Sequence, residues 1–161
     1  MNKPFTEIYQ KCNLKISNFK TEPESKEYEA CHFEVNGQKV ISRNAKITSK
    51  KVGQFVTFWK RNKDGITQPF FENDNFHFYV ITVNKENRNA QFVFPKSILI
   101  AKGIVSTQKK DGERGFRVYP IWDTPTNKQA EKTQQWQLDY FFEIAETTDF
   151  KKVKKRYSAP I

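Results

Sequence analysis

The sequence predicts a mixed α/β or α+β domain in which a single mixed β-sheet is flanked by helices. Three observations carry this prediction: a hairpin signal at Asn36-Gly37, strand-like apolar runs in the centre of the chain, and a helical repeat near its end. Helices before and after a group of strands are typical of a sheet covered by helices. The 161 residues fall in the size range of one domain, so we expect a single domain over residues 1–161.

The amino-terminal part contains the first helix and the hairpin. The run FTEIYQKCN is short and amphipathic and predicts a helix, which a loop over KTEPESKE follows. Asn36-Gly37 then divides two strand-like runs within EYEACHFEVNGQKVISRNAKI. Because Asn and Gly accept positive φ at both centres of a tight turn, we predict a two-residue hairpin here.

Further strands follow in the centre of the chain. QFVTFWKR, NFHFYVITVN and AQFVFP are rich in β-branched and aromatic residues, and Gly, Pro and Asn separate them. NFHFYVITVN is apolar on both faces, which predicts a central strand covered by helices. KSILIAKG then predicts a short helix that ends at Gly103, because glycine adopts the positive φ of a helix C-cap.

One more strand and a long helix complete the predicted order. GFRVYPIW predicts the strand, and TPTNKQAEKTQQWQLDYFFEI predicts a helix of about four turns. Thr126 followed by Gln129 indicates a capping box at the start of this helix. The residues that recur at helical spacing, and that predict its buried face, are Ala130, Thr133, Gln137 and Phe141.

The charge of the chain favours a polyanionic partner. The 28 cations and 18 anions give a formal net charge of +10. Residues 22–34 hold five acids and one lysine, whereas residues 38–63 hold eight cations and no acid. Residues 151–161 form a lysine-rich tail that we expect to be solvated or frayed. Since no secretory signal or membrane-spanning run is visible, we expect a cytoplasmic protein without membrane contact.

The residue types that build metal and catalytic sites show no compact pattern. His32 and His77 lie on different predicted strands without a second ligand at metal spacing, so we predict no metal site and no cofactor. Cys12 and Cys31 are too few for a disulfide framework. A metal-dependent nuclease needs strand-borne carboxylates, yet the one Glu-x-Lys, Glu24 to Lys26, lies in a predicted loop. No catalytic residue is assigned.

A basic groove is the interpretation that the binding chemistry favours. Lys and Arg side chains contact phosphates, whereas aromatic rings and amide or guanidinium groups contact bases. The cations of residues 38–63 are unpaired by any acid within that segment, and a sheet tolerates such repulsion poorly unless it serves a function. A solvated surface is the alternative. Lys128, Lys132 and Gln135 share one face of the predicted helix, which either lines the groove or faces water.

We therefore predict a set of nucleic-acid contacts, with DNA favoured over RNA as the partner. The predicted contact residues are Arg43, Lys46, Lys50, Lys51, Gln54, Lys60, Arg61, Lys96, Arg117, Trp122, Lys128, Gln129 and Lys132. Alternation along QFVTFWKR puts Phe55 and Trp59 on one face and Phe58 on the other, and at least one face must belong to the core. For these three aromatic residues, core packing is the favoured interpretation. No heptad or apolar stripe indicates an oligomer.

Three segments in this order resemble the MepB-like family of small bacterial proteins: RNAKITSKKVGQFVTFWKR, QFVFPK and RVYPIWDTPTNKQAEKTQQWQ. The resemblance extends from about Lys26 to Ile144 and implies a fold related to the restriction-endonuclease-like core of the PD-(D/E)XK nucleases. The chain lacks a (D/E)-x-K on a predicted strand, and a fold does not carry a reaction with it. The absent catalytic signature and the retained cations therefore predict a nucleic-acid-binding protein, without catalytic activity, on the nuclease-like scaffold that the resemblance implies.

Two alternative functions stay open. A divergent Mg²⁺-dependent nuclease would use Asp74 with Glu34 or Glu72 and a nearby lysine, and Mg²⁺ would then be its cofactor. A regulatory interaction module would instead present the basic face to an acidic protein partner.

Overall fold

The computed structural model describes residues 3–158, within which it has four α-helices and eleven β-strands. The helices are α1 (Lys3–Lys11), α2 (Lys96–Ala101), α3 (Lys128–Gln137) and α4 (Phe150–Arg156). The strands are β1 (Ile16–Thr21), β2 (Cys31–Val35), β3 (Gln38–Asn44), β4 (Lys46–Ile47), β5 (Gln54–Thr57), β6 (Trp59–Arg61), β7 (Thr67–Pro69), β8 (Phe78–Lys85), β9 (Arg88–Pro95), β10 (Gly115–Val118) and β11 (Phe141–Ile144). No helix of this part of the chain is long and apolar enough to cross a membrane.

A six-stranded mixed sheet forms the centre of the fold, with the strand order β1-β2-β3-β8-β9-β11. β3 and β8 run parallel, and every other neighbouring pair in this sheet is antiparallel. Helices α1 and α4 pack on one face. Helices α2 and α3 pack on the other face, together with a small sheet of order β10-β5-β4. The predicted mixed sheet flanked by helices is confirmed, and two small sheets are added to it, the second formed by β6 and β7.

Two tight hairpins fix the register of the main sheet. Between β2 and β3, Asn36 and Gly37 have φ angles of 49° and 82°, and Val35 pairs with Gln38. This confirms the predicted hairpin, because a primed turn needs positive φ at both of its central residues. A second turn of the same length, at residues 86–87, joins β8 to β9.

β8 is buried on both faces, as a central strand requires. All its residues from Phe78 to Val83 are buried. Phe78 packs towards the helices α1 and α4, whereas the ring of Tyr79 stacks on Phe58 from the small sheet's side, with centroids 4.0 Å apart. The Tyr79 hydroxyl also donates to the carbonyl of Thr57 at 2.7 Å. The small sheet is therefore held against β8 by both stacking and hydrogen bonding.

The helix near the end of the chain is shorter than the sequence predicts. Its N-cap is Asn127 and not Thr126, because the Asn127 side chain accepts from the Ala130 N–H at 2.8 Å. The helix ends at Gln137 after 10 residues, which is less than three turns. Phe141 then lies in β11, where it pairs with β9. Burial of an aromatic residue at the sheet edge thus overrides the helical spacing that predicts a longer helix.

α4 occupies most of the lysine-rich end, where the sequence predicts a solvated or frayed tail. Asp149 caps it, because its carboxylate accepts from two N–H groups of the first turn at 3.0 and 3.3 Å. Val153 and Tyr157 are 0% and 3% exposed, and the Tyr157 hydroxyl lies 2.6 Å from that of Tyr9 in α1. Two buried side chains therefore order this segment, although its lysines face water. Residues 159–161 of the predicted tail lie outside the described residues.

Replacing Gln137 with alanine is expected to destabilise the fold. Gln137 is 0% exposed, its Oε1 accepts from the Tyr119 N–H at 2.9 Å, and its Nε2 donates to the Arg117 carbonyl at 3.0 Å. The substitution leaves both backbone groups without partners, which costs about 2–4 kcal/mol of unfolding free energy. Urea unfolding measures this value. Gln135→Ala, an exposed position of the same helix, is the control; equal losses in the two variants would contradict the anchoring role of Gln137.

Candidate nucleic-acid interface

Three of the predicted phosphate-binding cations are paired with acids. The ion pairs are Lys46–Glu27 at 3.0 Å, Lys60–Asp74 at 2.5 Å and Arg61–Glu24 at 2.7 Å. Two of these acids come from the acidic stretch 22–34, which the fold brings beside the basic stretch 38–63. The Lys46 and Arg61 pairs are exposed and contribute little stability, whereas the Lys60–Asp74 pair is part-buried, and in all three the acid lowers the positive potential around its cation. These cations therefore attract phosphate less than their number in the sequence indicates.

Lys96 is held by backbone groups. Its ammonium donates to the Glu72 carbonyl at 2.7 Å and also to the Asp74 carbonyl, and it lies 4.8 Å from the centroid of the Phe76 ring. Burial lowers the pKa of Lys96, and the nearby acids only partly oppose this effect. Lys96 thus links the start of α2 to the segment 72–76, and two of its three N–H donors are used.

Residues 48–53 form a surface loop, here called the lysine loop. Its lysines, Lys50 and Lys51, are exposed, and neither has an ion-pair partner among residues 3–158. The loop ends at Gly53, whose φ is 84° and where a Cβ atom would lie 2.7 Å from the ring of Tyr119. Only glycine combines this φ with so close an approach, so Gly53 lets the loop lie against the end of β10.

Arg117 holds the lysine loop from β10. Its guanidinium donates to the carbonyls of Val52 and Gly53 at 3.3 Å each, and to the Thr48 hydroxyl at 2.5 Å. Gln54, the first residue after the loop, is 1% exposed and donates to a β8 carbonyl at 3.2 Å. Arg117 and Gln54 were both predicted as nucleic-acid contacts. In the structure the Arg117 side chain supports the loop, whereas the Gln54 side chain is buried and joins β5 to β8.

The lysine loop forms one wall of a cleft of about 390 Å³, here called the loop cleft. Lys50 and Lys51 line it on one side, and Lys85, Trp122 and Asp123 line it as well. The Lys85 ammonium lies 3.9 Å from the Asp123 carboxylate. Burial raises the pKa of Asp123, while Lys85 opposes the rise. The cleft thus combines cations with one aromatic ring, the chemistry that phosphate and base contacts require.

Trp122 lies half-buried between the loop cleft and the core. The Arg88 guanidinium is 4.8 Å from a Trp122 ring centroid, and the Phe141 ring meets it edge-on at 6.2 Å. Its Nε1 is buried without a hydrogen-bond partner in the described part of the chain. From α3, the Gln134 amide donates to the Asp123 carbonyl at 2.8 Å. α3 and β11 therefore fix the position of Trp122 at the cleft.

α3 presents an exposed polar face. Lys128, Gln129 and Lys132 are all exposed on it, and neither lysine has an ion-pair partner within residues 3–158. Ala130 and Gln137 are buried on the opposite side. The predicted helix residues thus face water, and none of them lines the loop cleft.

A second cleft, of about 710 Å³, lies over β1, β2 and β3 and is here called the strand cleft. β6 forms part of its opposite wall, through Trp59 among others. Of the predicted contact residues, Arg43, Lys60 and Arg61 line the strand cleft, whereas Lys50, Lys51, Gln54 and Trp122 line the loop cleft. The structure therefore divides the single groove that the sequence predicts into two sites.

Sequence reasoning missed three cations that line the two clefts. Lys20 and Lys39 belong to the strand cleft, and Lys85 belongs to the loop cleft. The two-residue period of β3 could have placed Lys39 on the same face as Arg43. Lys20 gave no such signal, because β1 has no counterpart in the predicted order.

The carboxylates of the nuclease alternative do not form a visible ligand set. Among residues 3–158, no three His, Cys, Asp or Glu side chains lie close enough together to hold a metal ion. One oxygen of Asp74 pairs with Lys60, and the other accepts from the Phe71 N–H at 2.7 Å. Glu34 accepts from the Asn18 side chain. The nuclease alternative stays a prediction.

Replacing Arg117 with methionine is expected to loosen the lysine loop, because the loop loses its side-chain hydrogen bonds to β10. Trypsin, which cuts after lysine, should then cleave at Lys50 and Lys51 about tenfold faster under native conditions. Mass spectrometry of the early fragments measures this change. Arg114→Met is the charge-matched control, because exposed Arg114 donates, among the described residues, only to the Thr67 carbonyl at 3.3 Å. Equal cleavage of both variants would contradict the role of Arg117.

The chain is similar to known proteins both in sequence and in fold. The sequence profile of the MepB-like family matches residues 22–143. The crystal structure of MepB is similar over 91% of this chain and 100% of its own, with 32% sequence identity and a TM-score of 0.80. The structure of a bacterial homing endonuclease matches with 15% identity and a TM-score of 0.48, over 86% of each chain. Comparison with curated proteins finds no match.

Proposed function

The chain belongs to the MepB-like family, and for this member we propose the function of binding nucleic acid, with DNA favoured over RNA. The observation that carries the proposal is the lysine loop. Lys50 and Lys51 are exposed without ion-pair partners among the described residues, and Arg117 holds their loop beside Trp122. A rigid loop that presents two adjacent cations needs no rearrangement before it contacts a phosphate backbone.

Phosphate groups occupy the mouth of the loop cleft in this proposal. Lys50 and Lys51 contact them directly, and Trp122 offers a half-buried ring to a neighbouring sugar or base. Lys128 and Lys132 on α3 contact further phosphates of the same backbone from a separate exposed surface. The net charge of +10 steers a polyanion towards the protein at long range.

Most of the other predicted contacts have structural roles in this proposal. Lys46, Lys60 and Arg61 would have to leave their carboxylate partners before they could bind phosphate. Lys96 and Arg117 already donate to backbone carbonyls. The proposed phosphate-binding surface is therefore smaller than the groove that the sequence predicts.

No reaction is part of this proposal. The absence of catalysis, the cytoplasmic location and the nuclease-like origin of the scaffold stay predictions, as do the two alternatives of a Mg²⁺-dependent nuclease and of a module for an acidic protein partner. Incubation of labelled DNA with the protein and Mg²⁺ separates the first alternative from binding alone, because only a nuclease releases shorter products.

Reversing both charges of the lysine loop should weaken DNA binding. For Lys50→Glu with Lys51→Glu, we expect the affinity for a labelled duplex to fall by about tenfold or more at low salt, because two phosphate contacts become repulsions. The fall should be similar for duplexes of unrelated sequence, since phosphates carry no sequence information. Fluorescence anisotropy measures the affinity.

The matched control is Lys109→Glu with Lys110→Glu. These lysines are also adjacent and exposed, and they do not line the loop cleft. Their reversal changes the net charge by the same amount, so it should reduce affinity only through the long-range potential. Equal losses in the two double variants would show that the site assignment is wrong, and full affinity in the lysine-loop variant would reject it outright.

A further inference from the structure

Arg43 is a buried charge without a counter-charge in the described part of the chain. The residue is 4% exposed, and within residues 3–158 its Nη1 donates only to the neighbouring Ser42 carbonyl, at 2.9 Å. Its Nε is buried without a hydrogen-bond partner among residues 3–158, and no ion pair of Arg43 occurs within them. Buried guanidinium groups are normally paired, because an isolated buried charge is costly. The unused donors therefore indicate an anion that the protein itself does not supply.

Arg43 lines the strand cleft, whose remaining charges leave an excess of cations. Each acid of the cleft already has a partner: Glu22 contacts His32, Glu24 pairs with Arg61, and Glu34 accepts from Asn18. Lys20 and Lys39 line the same cleft, and neither has an ion-pair partner in the described residues. The cleft is lined by five cations, Lys20, Lys39, Arg43, Lys60 and Arg61, against three acids, Glu22, Glu24 and Glu34, and this excess of positive charge favours an anionic ligand.

The opposite wall of the strand cleft is aromatic. Trp59, Phe70 and Phe76 line it, and Trp59 is only half-buried. The Arg61 guanidinium lies 5.2 Å from the Trp59 ring centroid and helps to hold the ring. The volume of about 710 Å³ falls within the range of pockets that enclose small organic ligands. The cleft therefore suits a ligand with an anionic end and a flat aromatic end.

We propose that the strand cleft binds a nucleotide, whose phosphate pairs with Arg43 and whose base packs against Trp59. A planar guanidinium binds two phosphate oxygens at once, and an aromatic ring stacks on any base. This site goes beyond the proposed function, because it needs no contact with the lysine loop. Its ligand is either a free nucleoside monophosphate or one unpaired nucleotide of a strand, which present the same chemistry.

The experiment uses the full chain with Lys50→Glu and Lys51→Glu, so that the loop cleft contributes little binding. Isothermal titration with the four nucleoside 5′-monophosphates and with a short oligothymidylate separates the two sources of nucleotide. We expect at least one of these probes to bind, and inorganic phosphate to compete more weakly because it lacks a base. If none of the five probes binds, or if inorganic phosphate binds as tightly as the best of them, the proposal is overturned.

Variants of the strand cleft complete the test. Arg43→Gln should weaken binding of the probe about tenfold or more, because it removes the charged donor. Lys39→Glu and Trp59→Leu change exposed or half-buried side chains, and each should weaken binding about fivefold or more even if Arg43→Gln fails to fold. Unchanged binding in both of these variants would contradict the proposal.

Failure of the nucleotide site and failure of the proposed function give different results. Duplex binding that depends on Lys50 and Lys51, without nucleotide binding, would reject the strand cleft alone. Nucleotide binding that depends on Lys39 and Trp59, with duplex affinity unchanged by reversal of the lysine-loop charges, would reject the loop cleft alone.

Discussion

The burial of β8 on both faces is the constraint on which the rest of the structure depends. On one face, β8 packs against α1 and α4. On the other face, the Tyr79 ring stacks on Phe58 and the Tyr79 hydroxyl donates to the Thr57 carbonyl. This contact fixes β5 against the main sheet, and the lysine loop ends where β5 begins. The strand cleft lies over β1, β2 and β3, on the face of the main sheet that the small sheet also covers. Both clefts are thus consequences of how one central strand is covered.

Much of the fold could be predicted because its signals are local. The Asn36-Gly37 turn, the two-sided apolar pattern of β8 and the glycine after α2 are each encoded within a few residues. β11 and α4 could not be predicted in the same way. Phe141 fits a helical spacing in the sequence, but in the structure it pairs with β9. Val153 is buried, although the lysines around it in the sequence indicate an exposed segment. In both cases the decisive contact comes from residues far away in the chain.

The candidate site could likewise be predicted only in those features that are local in the sequence. The sequence correctly indicated a dense basic segment and its family, but it could not show that Glu24 and Glu27 would fold against Arg61 and Lys46. Nor could it show that Arg43 would be buried while Lys50 stays exposed, since this depends on which strands pair. Charge density in a sequence therefore overstates the surface that is available to phosphate. The cations without an acidic partner in the described structure are the better guide to where an anion binds.

The salt dependence of duplex binding distinguishes a small phosphate-binding surface from a wide groove. Four exposed lysines without ion-pair partners among residues 3–158 carry the proposed surface: Lys50, Lys51, Lys128 and Lys132. The logarithm of affinity should then fall with the logarithm of salt concentration with a slope of about −4, since each phosphate contact contributes about −0.9. If all ten predicted cations bound phosphate, the slope would be about −9. A slope near −9, or an affinity that does not change with salt concentration, would contradict the small phosphate-binding surface proposed for this protein.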